Sequence, residues 1–168
     1  MCREDRPVMS LRSASEIAAI GRAGRIVSAA LEAAVDLAQP GVTTGRLDEV
    51  VSDVYRSAGA EAIFRGAASA AGATPFPAAS CVSVNQQALH GIPGDRVLQV
   101  GYLLTIDTGC RFEGWCADAA RSMGVGKLEI EAERLLAGGQ RALEVALEVL
   151  AERGRWSDVV ERVHAEVT

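Results

Sequence analysis

SCVSVNQQALHGIPGDRVLQVGYLLTIDTGCRFEGWCADAARSMGVG, residues 80–126, alternates apolar strand-like runs with short turns. Cys81 to Val84 has strand composition, and Gly91-Ile-Pro-Gly-Asp95 is turn chemistry. Residues 102–109 and about 115–123 read as the next strand pair, reversing near Phe112-Glu113-Gly114. One imidazole, His90, and two carboxylates, Asp107 and Asp118, are thereby delivered by strands that can lie side by side.

Asp107 follows Leu103-Leu-Thr-Ile106. A carboxylate there needs a proton, a hydrogen-bond partner or a cation. With the reversal at residues 112–113, positions 107 and 118 fall opposite one another, with Cβ atoms about 4.5–5.5 Å apart on one face. Two like charges so close repel unless something positive lies between them. A pair of divalent ions roughly 3.5–4 Å apart would answer that need. The plainer reading has one Asp capping a turn and the other solvated. By itself His90 reads first as a satisfied turn histidine; the functional reading is a ligand or a donor beside the carboxylates. Cys116 shares a face with Asp118. A zinc site of Cys116, Asp118, Asp107 and His90 and a small buried thiol are both open.

Outward from this stretch, Ser13-Ala-Ser-Glu16 matches a capping box. Ile17, Ile20, Ile26 or Val27, Leu31 and Val35 then recur at helical spacing, predicting a helix over about Ala14–Ala38 that Pro40-Gly41 ends. Thr43 or Thr44 caps a second helix with the stripe Leu47, Val50, Val51, Val54 and Tyr55, ended by Gly59. Residues 60–64 suggest a short strand. Residues 65–79 are rich in Ala, Gly and Pro and read as a loop or pocket wall, with Phe76 between two prolines the residue best placed to face something specific. After Gly126 a helix is expected from about Leu128 to Arg153, weakened at Gly138-Gly139 and ended by Gly154, then another from near Ser157. His164 reads as helix surface. The fold class is α+β, an antiparallel sheet covered by amphipathic helices. Residues 1–12 form a loose lead-in and 13–168 one domain.

The 168 residues suit one domain with a sizeable core, and the 49% hydrophobic content excludes a disordered chain. Only 4% are aromatic, so the core must be Ala, Val, Leu and Ile. A net charge of −5 without a Lys/Arg run argues against nucleic-acid or anionic-membrane binding. The four cysteines form no C-x-x-C pair and read as reduced thiols. No signal peptide or spanning run is visible, so a cytoplasmic location is expected. Met1 and Met9 are both possible starts.

The combined pattern C-V-S-V-N-x4-H-G-I-P (Cys81 to Pro93), I-D-T-G (Ile106 to Gly109), G-W-x-x-D-x-A-R (Gly114 to Arg121) and Val125-Gly126 closely resembles the type I methionine aminopeptidases, the pita-bread dinuclear metallopeptidases. Pro40-Gly41-Val-x-Thr44 is similar to that family's N-terminal half. The resemblance implies that Asp107 binds one metal and Asp118 bridges two, with Mn, Fe, Co or Zn as the divalent ions. It implies that His90 contacts substrate and takes part in catalysis, and that Phe76 and Cys81 line the methionine side-chain pocket. The implied reaction is removal of the N-terminal methionine from peptides or nascent chains by metal-activated water. The ribosome is met through the nascent chain, and the complete enzyme is monomeric.

Gly101-Tyr102 replaces the family's usual Gly-Asp, a difference expected to be structural only. The family's later half adds a histidine in a His-Gly-x-Gly context and two glutamates, which do not occur here. The expectation is therefore an N-terminal portion of such an enzyme, the first half of a pita-bread fold, with little or no turnover by itself. The rival reading is a non-catalytic binding protein or inactive remnant. A weaker one is self-association across an open sheet edge.

Overall fold

The structure is a computed structural model and describes residues 11–68, 74–152 and 155–167. Most of the expected lead-in lies outside the described residues, as does Gly154. Leu11 and Arg12 are exposed.

Helix α1 spans Ala14–Leu37 and starts on the expected capping box: the Glu16 amide donates to Ser13 Oγ, and the Ser13 amide donates to the Glu16 carboxylate. Its buried face keeps Val27 and Leu31 of the expected stripe and adds alanines. Ala19, Ala23, Val27, Ala30, Leu31 and Ala34 are buried, whereas Ile17 is 59% exposed. Small side chains let the helix lie close on the sheet, and the larger Ile20, Ile26 and Val35 sit at the margins of the contact.

Helix α2 (Thr44–Ala58) is capped by Thr43, whose Oγ1 accepts from the Arg46 amide, and ends at Gly59 in the left-handed region at φ +67°. Leu47, Val51 and Tyr55 are its buried stripe.

Strands β1 (Glu61–Ala62), β2 (Ser80–Val84), β3 (Tyr102–Phe112) and β4 (Trp115–Val125) form one antiparallel sheet. β4 runs along one side of β3, and β1 and β2 share the other. Successive side chains of β3 take opposite faces. Leu104, Ile106, Thr108 and Cys110 are fully buried beneath α1 and α2 in the main core, whose chief aromatic is Tyr55. Leu103, Thr105, Asp107 and Gly109 lie on the other face.

The β3–β4 turn corrects the expected register. Phe112 pairs with Trp115, leaving a two-residue loop, and Glu113 and Gly114 both have positive φ (50° and 82°). That is the geometry a two-residue hairpin loop favours, because its twist matches that of the strands. Arg22 on α1 reaches the loop with Nε and Nη2 at 3.1 and 2.7 Å from Glu113 Oε2. The pairing is therefore Asp118 with Gly109, and Asp107 with Ala120.

Helices α3 (Ile130–Ala151) and α4 (Trp156–Val167) pack on each other through Val145, Val149 and Val159. α3 runs unbroken through Gly138-Gly139. Leu135, Leu143 and Leu147 are largely exposed along a groove shared with Leu103, Thr105 and Ser122. Among the described residues no helix is long and apolar enough to cross a membrane.

Candidate functional site

Asp107 stands at the middle of β3 with Cys81 as its partner on β2. On the other side, Asp118 sits two residues along from the position opposite Asp107. The two carboxylates thus occupy the same face as diagonal neighbours, a relation typically about 7–8 Å between positions and still within side-chain reach. Gly109 makes the approach possible. A Cβ there would lie 3.0 Å from Asp118 Oδ2 and 2.9 Å from the Ala117 carbonyl oxygen, so the Asp118 side chain leans over space that only glycine leaves open.

Burial raises the Asp107 pKa first, the Asp118 charge raises it further, and His90 opposes both. Asp118 belongs to the exposed part of β4, yet its neighbours crowd the carboxyl enough that desolvation raises its pKa too. Cys81 is buried, and its thiol is pushed up to about 11, by desolvation first and then by Asp107, Asp118 and Asp48. The face is one on which negative charge accumulates at a cost, and a cation would relieve it.

His90 is held by the backbone around it. Its φ is +57°, a left-handed conformation that costs a non-glycine residue roughly 1–2 kcal/mol. Gly91 follows and lies flat against β2: its amide donates to Ser83 Oγ at 3.0 Å, and its carbonyl accepts from the Val82 amide at 2.8 Å. A Cβ on Gly91 would come within 2.3 Å of the Val82 carbonyl oxygen. The glycine after the histidine is therefore a steric requirement. It fixes His90 in the lining of the cavity described next.

A pocket of about 520 Å³ opens beside the sheet face. Phe64, Phe76 and Ile92 give it apolar walls, and Cys81, His90 and Asp107 form its polar end. Four residues singled out in the sequence, Phe76, Cys81, His90 and Asp107, thus meet in one cavity. Asp118 is not part of its lining and stands a diagonal step along the sheet. Cys116 is exposed and interacts with Arg111. Among the described residues, no three His, Cys, Asp or Glu side chains converge into a group that could hold a metal ion. The four-ligand zinc arrangement with Cys116 is therefore not assembled. The carboxylate pair fits part of a cation site and falls short of a full one. These residues alone carry no metal-assisted step.

Three supports escaped the reading of the sequence. Tyr55 Oη lies 2.9 Å from Thr108 Oγ1, and Thr108 Oγ1 donates to the Ala79 carbonyl at 2.9 Å, so a buried polar chain runs beneath Asp107. Asp48 Oδ1 accepts from the amides of Ala79 and Ser80 and from Ser80 Oγ. Asn85, at φ +56°, accepts the Leu103 amide on its side-chain oxygen while its own amide donates to the Leu103 carbonyl. The one available signal was Tyr55 itself, an aromatic with a polar tip inside an otherwise aliphatic stripe.

Residues 18–168 match the profile of metallopeptidase family M24. The chain belongs to that family. Membership implies chemistry with divalent metal ions. The chain is 36% identical to "Methionine aminopeptidase 1" of Mycobacterium tuberculosis over 159 residues, which are 94% of this chain and 58% of the relative. It is 32% identical to "Methionine aminopeptidase" of Clostridium perfringens over 157 residues, 94% of this chain and 61% of the relative. The crystal structure of methionine aminopeptidase from Thermotoga maritima superposes with a TM-score of 0.75 at 27% identity, covering 83% of this chain and 54% of that one. The fold is accordingly α+β, the first half of the family's pita-bread fold. The chain spans about three-fifths of the length of these curated relatives.

Proposed function

We propose that this protein acts in metal-dependent removal of N-terminal methionine, and that the described residues build the substrate pocket and part of the metal-binding face. The observation that carries the reading is the union of Phe76, Cys81, His90 and Asp107 in one cavity with apolar walls and a single polar end. A straight, unbranched thioether side chain suits such a cavity, because aromatic edges make favourable contacts with sulfur and a buried thiol behaves as a small apolar group. In this reading Phe76 and Cys81 hold the side chain. His90, in the pocket lining, hydrogen-bonds the first peptide group. Asp107 and Asp118 act as oxygen donors to divalent ions, of which a complete site takes two, drawn from Mn, Fe, Co or Zn. The substrates are peptides and nascent chains, met in the cytoplasm as they leave the ribosome, and the working protein is a monomer.

Two carboxylates and one histidine are too few for a two-metal centre. The account therefore separates binding from turnover. The 168-residue chain is expected to bind Met-Ala-Ser saturably and, with added Mn²⁺, to release methionine at or near the background rate. Robust metal-dependent cleavage would refute the claim that its donor set is incomplete. Absence of any binding would refute the pocket assignment.

The alternative reading is a non-catalytic protein that binds free chain ends. Under it, replacing Asp107 with Ala leaves peptide binding unchanged. Under the first reading, the same substitution abolishes whatever Mn²⁺-dependent strengthening of binding the wild type shows.

A further inference from the structure

Asp48 is a helix residue at the flank of the pocket, and its side chain is only 14% exposed. Oδ1 accepts three hydrogen bonds, from the Ala79 amide (2.9 Å), the Ser80 amide (2.8 Å) and Ser80 Oγ (2.8 Å). Oδ2 lies 3.7 Å from the Arg65 guanidinium, which also donates to Ser52 Oγ at 3.0 Å. These partners belong to the two feet of the apolar wall. Arg65 follows Phe64 on the first limb. Ala79 and Ser80 close the second limb and lead directly into Cys81. Above the feet, the limbs are joined by hydrogen bonds from the Gly66 amide to the Phe76 carbonyl (2.9 Å) and from the Phe76 amide to the Ala67 carbonyl (2.8 Å).

We propose that Asp48 is a positioning residue. One carboxylate on α2 ties both limbs of the wall, residues 64–68 and 74–77, to the scaffold and so sets the gap between Phe64 and Phe76 and the floor made by Cys81 and Asp107. Thr108, fixed by Tyr55, secures that floor from below at the same helix, seven residues on. α2 thus holds wall and floor in one frame. Hydrogen bonds to a charged acceptor are individually stronger than neutral ones, so one carboxylate carrying three is an effective anchor. The effect on ligand choice rests on the methionine reading above, whereas the effect on the wall does not.

Amide hydrogen exchange on the whole chain tests the proposal. With Asp48→Ala, exchange at Gly66 and Phe76 should rise about tenfold or more, while Val27 and Leu104 in the main core keep wild-type rates. Asp48→Asn keeps an acceptor oxygen and should restore protection at Ala79 and Ser80. Arg65→Gln, at an exposed side chain, frees only the first limb, so Gly66 loosens and Ala79 does not; it carries the test if Asp48→Ala fails to fold. Alongside, the preference for Met-Ala-Ser over Ala-Ala-Ser in binding should fall at least about fivefold in Asp48→Ala and recover in Asp48→Asn. Unchanged exchange at Gly66 and Phe76 overturns the proposal whatever the peptides do. Loosened limbs in a protein whose wild type binds neither peptide would uphold Asp48 as the anchor of the wall and reject the methionine reading.

Discussion

Asp118 is paired across the sheet with Gly109, not with Asp107. The carboxylate leans over Gly109, where the face carries no side chain. Gly109→Ala would press a methyl group against the Ala117 carbonyl and Asp118 Oδ2, and against Ile63 Cδ1 at 2.7 Å. The isoleucine can rotate away, but the backbone oxygen cannot. Urea unfolding should show a loss of about 1–3 kcal/mol, the usual cost of overpacking a filled position.

Asp107 should make stability depend on pH. Its folded pKa is raised, by burial and by Asp118, so the folded state binds its proton more tightly than the unfolded chain does. Between the unfolded and folded values the native state holds more protons, and stability falls as pH rises through that window. Thermal unfolding from acid to neutral pH should therefore show a declining Tm in the wild type and a flatter profile in Asp107→Asn. At neutral pH, added Mn²⁺ should raise the wild-type Tm and leave Asp107→Asn unmoved.

The buried polar chain gives an asymmetric pair of mutants. Tyr55→Phe removes one hydroxyl, while Thr108 still donates to the Ala79 carbonyl. The expected cost is about 1 kcal/mol. Thr108→Val strips a partner from both Tyr55 and Ala79 and leaves a buried hydroxyl unsatisfied, so it should cost clearly more, about 2–3 kcal/mol. Equal losses in denaturant titrations would contradict this chain of bonds.

The three cysteines among the described residues should react in a fixed order. Cys116 is exposed, whereas Cys81 and Cys110 are buried with raised thiol pKa values, Cys81 at about 11. The thiolate is the reactive form. Iodoacetamide at pH 7.5 followed by peptide mapping should label Cys116 well ahead of the other two, with Cys81 gaining reactivity only on unfolding.

Local chemistry made much of this fold legible. Ser13 with Glu16, and Thr43 before Leu47, announce their helices because capping depends on neighbours only. Gly91 after His90 was visible as turn chemistry. Its real reason is the Val82 carbonyl against which it lies, a contact across eight residues or more that composition does not reveal. The α1 stripe was legible in part: Val27 and Leu31 are buried as expected, while Ile17 is exposed and the alanines, which carry no size signal, complete the face. The register was misplaced by one step of the turn, since Glu113-Gly114 forms a two-residue loop whose positive φ values only the folded backbone displays. Asp48 was invisible as an anchor because its partners, Arg65 and Ser80, gather around it only when the chain folds.

The most direct test is equilibrium binding of Met-Ala-Ser to the 168-residue chain, wild type against Phe76→Ala, with Ala-Ala-Ser as the comparison peptide. The account predicts saturable binding that prefers methionine in first position and that Phe76→Ala weakens about tenfold, as loss of a large aromatic contact should. Binding that ignores the first residue, or that survives Phe76→Ala undiminished, would contradict it.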